Sequence, residues 1–254
     1  MTLLVNNIYI LQVITILMPN FNREINILNL IKKLENKRVL IKYESTYPAL
    51  SLLYNNFCLT FKNKNLVIIC FSDTACRRLR ESFESFSVKS PEIVGIVSKA
   101  RFIKVGEKRC SPIGKNKCVE FDDALILRGK LNDVFSHLRK IVCELSEDDL
   151  LLLFGMHFIP SLYSIVGLRY MLSLFNSIPC DVTTVTLCQK DILKKDLFNI
   201  MERLYDVVVA IRKEKDTYFE SGVYLIGVEQ SILQDIEPVY EKYKVDINGK
   251  LIQV

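Results

Sequence analysis

Arg38-Val39-Leu40-Ile41-Lys42-Tyr43-Glu44-Ser45-Thr46-Tyr47-Pro48 is the stretch that decides the fold. Its first six residues are mostly β-branched or large and apolar, which suits a pleated, buried strand. Ser45 and Thr46 then offer capping hydroxyls. Pro48 falls near the first helical turn, where its missing N–H costs nothing. A strand followed at once by a helix, here expected to run to about Lys62, is the unit from which parallel α/β sheets are built.

The same unit recurs on both sides. Upstream, Ile25, Ile27, Leu28, Leu30, Ile31 and Leu34 recur at helical spacing. Downstream, Leu66 to Phe71 is a continuous apolar run of the kind a strand covered on both faces requires. Ser72-Asp73-Thr74 caps the helix that Arg77, Leu79 and Phe83 continue. Leu150 to Phe154 is a second such run and stops at Gly155. Further helices are read over Leu131 to Leu145, Pro160 to Asn176 and Asp191 to Leu204. Strands are read over Ile93 to Val97, Arg101 to Val105, Val182 to Leu187 and Val207 to Ile211. The end of the chain is strand-rich: Val223 to Val228, Val239 to Val245 and Leu251 to Val254, with Asn248-Gly249 as a hairpin turn. The expectation is an α/β protein, a three-layer sandwich whose mostly parallel central sheet carries antiparallel C-terminal edge strands.

Length and composition agree. The chain of 254 residues suits one α/β domain, and with 50% hydrophobic and 25% charged residues it reads as folded rather than disordered. The expected organisation is a single domain over 18–254 behind an apolar extension, 1–17. That extension has no basic leader and no small-residue cleavage site, so it is not read as a signal peptide. Asn6, Asn7 and Gln12 interrupt it, and its apolar core is short for a bilayer. With Met18 just before the first amphipathic helix, one reading of the extension is an upstream continuation of the reading frame; the others are a helix or strand packed on the domain and, second to these, an anchor. The apolar stretch from Leu150 to Ile178 is divided by Gly155, His157, Pro160 and Arg169 into a strand and a helix, so no membrane partner is expected.

A nucleotide-binding sheet of this kind needs a glycine-rich turn after its first strand, because only glycine lets several backbone N–H groups converge on a phosphate. No glycine occurs before Gly95. The lysine and hydroxyl of such a loop are missing in the expected order, since Tyr47-Pro48-Ala49-Leu50 follows the capping hydroxyls. Leu150 to Phe154 ends in Gly155 rather than in an acid for magnesium, and Asp148 and Asp149 precede it. Both Walker-type elements are absent from the sequence, so neither ATP hydrolysis nor a cofactor is expected.

Charge is uneven. Residues 21–120 hold 19 Lys and Arg against 9 Asp and Glu, and residues 121–254 hold 15 against 20, so the halves are about +10 and −5. The eight cysteines include no pair separated by two residues, which argues against a structural zinc site, and no metal is expected. Cys58, Cys70 and Cys143 lie in apolar runs and read as buried hydrophobes. Only Cys110 and Cys118 flank a loop where pairing is sterically conceivable, and a reduced, cytoplasmic protein is the default.

The segments Val39 to Ser45, Phe102 to Gly106, Leu151 to Gly155 and Asp206 to Ile211 resemble an uncharacterised family of archaeal proteins that look like RecA- or KaiC-type ATPase domains without the phosphate loop. The similarity spans roughly residues 25 to 250. It implies a RecA-like sandwich, an intracellular setting and association through the sides of the domain, and it carries over no catalytic residues. A Met18 start also agrees with the length of the family's first helix. The paired-serine turn of such proteins is here Glu44-Ser45-Thr46.

Three functional readings follow. The first is a non-catalytic module that regulates or scaffolds through protein contacts or self-association. The second is non-specific nucleic-acid binding by Arg77, Arg78, Arg80, Arg101, Lys104, Lys108, Arg109, Lys115 and Lys117, since each neutralised phosphate releases counterions; only Phe83, Phe86 and Phe102 lie near for base stacking. The third is an enzyme at the carboxyl edge of the strands, where ligands of such sheets bind. The residues there are Glu44, Ser45, Thr46, Asp73 and His157. His137 is expected on the solvent side of its helix.

Overall fold

A computed structural model of the protein describes residues 27–106, 124–214 and 222–254, apart from positions 235 and 237. Ten described strands form one sheet: β1 (Arg38–Tyr43), β2 (Asn65–Cys70), β3 (Arg101–Val105), β4 (Ala124–Leu127), β5 (Asp149–Phe154), β6 (Thr183–Gln189), β7 (Val207–Lys213), β8 (Val223–Ser231), β9 (Tyr240–Val245) and β10 (Leu251–Gln253). Their order is β10-β9-β8-β7-β1-β6-β5-β2-β3-β4. From β7 to β4 every pairing is parallel, and from β7 to β10 every pairing is antiparallel. This is the mostly parallel α/β sheet with an antiparallel edge that the sequence implies.

Alternation along each strand sorts side chains between two helical layers. Val39, Ile41 and Tyr43 of β1, with Leu66, Ile68 and Cys70 of β2, face one core. That core is closed by α1 (Ile27–Leu30, tightening into a 3-10 turn over Ile31–Leu34), α2 (Thr46–Ser51, widening into π-helical turns over Leu52–Cys58), α3 (Asp73–Ser87) and α4 (Pro91–Val97). Leu40, Val67, Ile69, Leu151 and Leu153 face the other core, closed by α5 (Leu131–Val142), α6 (Phe158–Phe175) and α7 (Lys195–Glu202). Leu150 to Phe154 are all buried, so β5 is covered on both faces. Each such leucine contributes about 1.5–3 kcal/mol by leaving water.

Several local expectations change. Ile93 to Val97 is part of helix α4, not a strand: Ser90 precedes Pro91 at the first helical position, and Ile93 and Val97, four residues apart, share the buried face. β4 is a strand that apolar spacing alone does not separate from the loop before it. Cys143 is exposed rather than buried, because it follows the last turn of α5 on its outer side. Cys58, Cys70, Cys76 and Cys188 are buried. The stretch Leu150 to Ile178 is β5 plus α6; α6 alone is long and apolar enough to cross a membrane by length and composition, but it is kinked at Ser164 and packs against the sheet. The 1–17 extension and the pair Cys110 and Cys118 lie outside the described residues.

The β9–β10 hairpin is anchored to the opposite end of the chain. The Gly249 carbonyl at its turn accepts hydrogen bonds from Ser51 Oγ and Asn55 Nδ2, both at 2.6 Å. The turn itself is closed by Asp246, whose carbonyl accepts from the Gly249 N–H at 3.0 Å.

Candidate functional site

The carboxyl ends of β1, β6 and β5 lie side by side, with Tyr43 in register with Gln189 and Phe154 with Leu187. Above them α3 presents Ala75, Arg78, Leu79 and Ser82, a stripe at i, i+3, i+4 and i+7, and α2 presents Thr46 and Leu50. These residues enclose a cavity of about 540 Å³, completed by His157 and Phe158 at the start of α6. Its size suits a small molecule, and its place is the edge where open α/β sheets hold their ligands.

The last turn of β5 shapes the cavity wall. Gly155 has φ +71°, and a Cβ there would lie 2.5 Å from the Ala75 Cβ, so only glycine lets the chain turn this close to α3. The turn delivers His157, which is 5% exposed and lies tilted against Phe158 with ring centroids 4.5 Å apart. Neither imidazole nitrogen has a hydrogen-bond partner. Burial pushes its pKa down to about 4, and the Arg78 charge adds to that; the nearby Leu187 carbonyl opposes it without reaching hydrogen-bond geometry. At neutral pH the ring is uncharged, with one donor and one acceptor, and of these only the donor has a protein group near it, the Leu187 carbonyl.

Arg78 supplies the cation. It is exposed and makes no ion pair with any described residue. Glu81, the acid on the same wall, is paired with Arg77 at 3.8 Å. Tyr43 stays a neutral phenol because burial, helped by Cys188 and opposed by Arg78, pushes its pKa up to about 12. Ser82 is already engaged, donating to the Leu79 carbonyl at 2.7 Å and lying 3.1 Å from the Tyr54 hydroxyl.

Of the edge candidates, Thr46 and His157 line the cavity and the others do not. Glu44 turns toward β7, taking the Lys190 ammonium at 2.5 Å and the Lys213 N–H at 3.1 Å. Burial works against its charge, but these contacts prevail and hold its carboxyl below the ordinary range. Ser45 occupies the position before α2 but makes no side-chain cap, whereas Ser72 caps α3 by accepting from the Ala75 N–H at 3.0 Å. Asp73 pairs with Lys104 across β3, beside Gly106. Glu44, Asp73 and His157 therefore serve three separate neighbourhoods and do not converge. No group of three or more potential metal ligands occurs among the described residues.

The basic candidates scatter likewise. Lys104 is fully buried with Asp73, which removes it from any surface a polyanion can touch. Arg77 is paired, Arg78 faces the cavity, and Arg80 and Arg101 are half-buried. Lys108, Arg109, Lys115 and Lys117 lie outside the described residues. His137 is exposed, as its helix position implies.

A second polar cluster, absent from the sequence reading, sits on the opposite face of β1. Lys42 bridges Glu202 of α7 at 2.7 Å and Glu229 of β8, and Glu229 also binds Arg212 and the Tyr240 hydroxyl. Lys42 lies 5.2 Å from the Phe198 ring centroid. Burial raises the Glu229 pKa, but the hydrogen bonds from Lys42, Tyr240 and Arg212 more than reverse this and hold it down at about 2. The cluster ties the antiparallel edge to the central strand.

No family model matches the sequence, and no curated protein matches it. Solved structures do match in fold. A Pyrococcus horikoshii OT3 protein studied as PH0250 is 17% identical with a TM-score of 0.56, over 89% of this chain and 97% of that one. The KaiC-like protein PH0186 of the same archaeon is 12% identical with a TM-score of 0.55, over 87% and 90%. The flagellar accessory protein FlaH of Methanocaldococcus jannaschii is 7% identical with a TM-score of 0.50, over 89% and 95%. The chain therefore shares its α/β fold with these structures, a KaiC-like protein among them, and at these identities the likeness extends to fold alone.

Proposed function

We propose that this chain is a RecA/KaiC-like domain that has lost its phosphate loop and works without catalysis, as a cytoplasmic regulatory or scaffolding module acting through protein contacts. The observation that carries this reading is the turn after β1. Where a triphosphate needs converging backbone N–H groups and a lysine, this turn has no glycine and carries the Glu44 carboxylate, anchored by Lys190 and the Lys213 N–H. The anchored carboxylate occupies the turn without offering a donor to a phosphate, and β5 is followed by Gly155 instead of a magnesium ligand. The residues at the edge do not fit a magnesium-bound triphosphate.

Support for protein contacts comes from α6. At its kink, where Ser164 adopts φ 52°, Leu162, Tyr163, Ile165 and Val166 are exposed, Leu162 at 74%. Clustered apolar side chains on a surface mark interaction sites more often than isolated ones do. The test is calorimetry with ATP and magnesium, together with phosphate release. The expected result is no saturable uptake and no turnover, and tight magnesium-dependent binding overturns the reading. Sedimentation of the protein against Ile165→Glu tests the contact surface: a mass that falls to monomer supports it, and identical monomeric behaviour of both refutes self-association through α6.

A further inference from the structure

We infer that the cavity over β1, β6 and β5 is a binding site for a small aromatic monocarboxylate bearing a hydroxyl or carbonyl group, held by Arg78 at its mouth and by the imidazole of His157 within. This rests on the reading above, because it assigns the old nucleotide edge to a different chemistry.

Three independent features point to such a ligand. First, the cavity of about 540 Å³ has a mixed lining whose apolar part is formed by Phe154 and Leu187 of the sheet, Phe158 of α6 and Leu79 of α3, beside the polar Thr46, Ser82 and Gln189. A flat apolar body gains by leaving water there, and rings offset against phenylalanine gain further. Second, His157 is only 5% exposed, yet neither ring nitrogen has a partner in hydrogen-bond geometry; the Leu187 carbonyl lies near one and no protein group meets the other. A buried polar group left unsatisfied is destabilising, so a native chain keeps it where something else completes the bond. A neutral imidazole donates one hydrogen bond and accepts one, which matches a hydroxyl or carbonyl and not a second charge. Third, Arg78 has no ion pair among the described residues and lines the same space. One guanidinium accepts one carboxylate in a bidentate fork. A phosphate ester carries nearly two charges, and a triphosphate more, against this single cation with Glu81 on the same wall.

The probe is 6-hydroxy-2-naphthoate, whose fluorescence is read cleanly because the protein has no tryptophan. The expected result is saturable binding of one probe per chain. Arg78→Ala should weaken it at least tenfold while leaving binding of neutral 2-naphthol within twofold, and His157→Phe should weaken the naphthoate at least fivefold. Both substitutions keep the fold testable, since Arg78 is exposed and phenylalanine matches the imidazole in shape; circular dichroism melting confirms it. Absence of saturable binding, or binding that both variants leave unchanged, overturns the assignment. Parallel titrations with inorganic phosphate and with magnesium-ATP separate the two levels. Failure of the naphthoate with ATP also inert refutes only the carboxylate site. Tight ATP uptake refutes the non-catalytic reading beneath it.

Discussion

Replacing His157 by phenylalanine should make the protein more stable, and more so in mild acid. The imidazole is buried, tilted against Phe158, and neither nitrogen has a partner in hydrogen-bond geometry, so the folded state bears a desolvation penalty that phenylalanine does not. An unsatisfied buried polar group costs about 1–3 kcal/mol, which sets the gain at pH 7.5. A second contribution comes from protonation. The ring titrates at about 4 in the folded protein against an ordinary 6.5, so its stability contribution is complete above pH 6.5 and drains as pH falls from there toward 4. At pH 5 this linkage removes about 2 kcal/mol from the native protein and nothing from the variant. Urea unfolding at pH 7.5, 6 and 5 reads both effects. A variant no more stable than the parent at pH 7.5, with a difference that stays constant to pH 5, would refute the reasoning.

Gly155→Ala should destabilise by about 2–4 kcal/mol, the sum of a left-handed backbone angle and overpacking against Ala75. Adding Ala75→Gly should restore only the packing share, which thermal melts of the single and double variants resolve; full recovery would mean that the backbone angle carries no strain. Glu229→Gln should remove stability that depends on acid titration. Because the folded carboxyl is held at about 2, its contribution is present above about pH 4.5 and fades below it. Parent and variant should therefore differ by about 1–3 kcal/mol at pH 7 and converge as pH falls toward 2, followed by guanidinium unfolding; parallel curves across that range would exclude the Lys42 cluster as the source.

The parallel half of the sheet was legible because β2 and β5 are buried on both faces and so leave unbroken apolar runs, which no loop or surface helix imitates. Pro91-Glu92-Ile93 misled because four apolar residues in seven suit either period, and only the proline at the first helical position tips the segment to helix. The cavity was half legible. His157 follows a strand end, and the edge itself is predictable from topology, but Tyr43, Arg78 and Gln189 meet there only because strand alternation and the α3 stripe turn them inward together. Arg78 looked like one of several surface cations. Glu44 and Asp73 looked like partners for His157, yet each is drawn off by a lysine from another element, Lys190 just after β6 or Lys104 in β3. Local sequence holds no record of such distant pairings.

The central position of β1 bears on how the protein is made. The strand translated earliest among those described pairs with β6 and β7, where Arg38 lies beside Thr184 and Val39 beside Val207. At ribosomal speeds of about 5–20 residues per second, roughly ten to thirty-five seconds separate the emergence of β1 from that of its second neighbour. Throughout that interval a nascent chain offers an unpaired hydrophobic ribbon to chaperones and to other ribosome-bound copies. Ribosome-arrested chains should accordingly keep Val39 to Ile41 open to protease until β7 has left the exit tunnel, making quality control during synthesis, more than final stability, the constraint on expression of this topology.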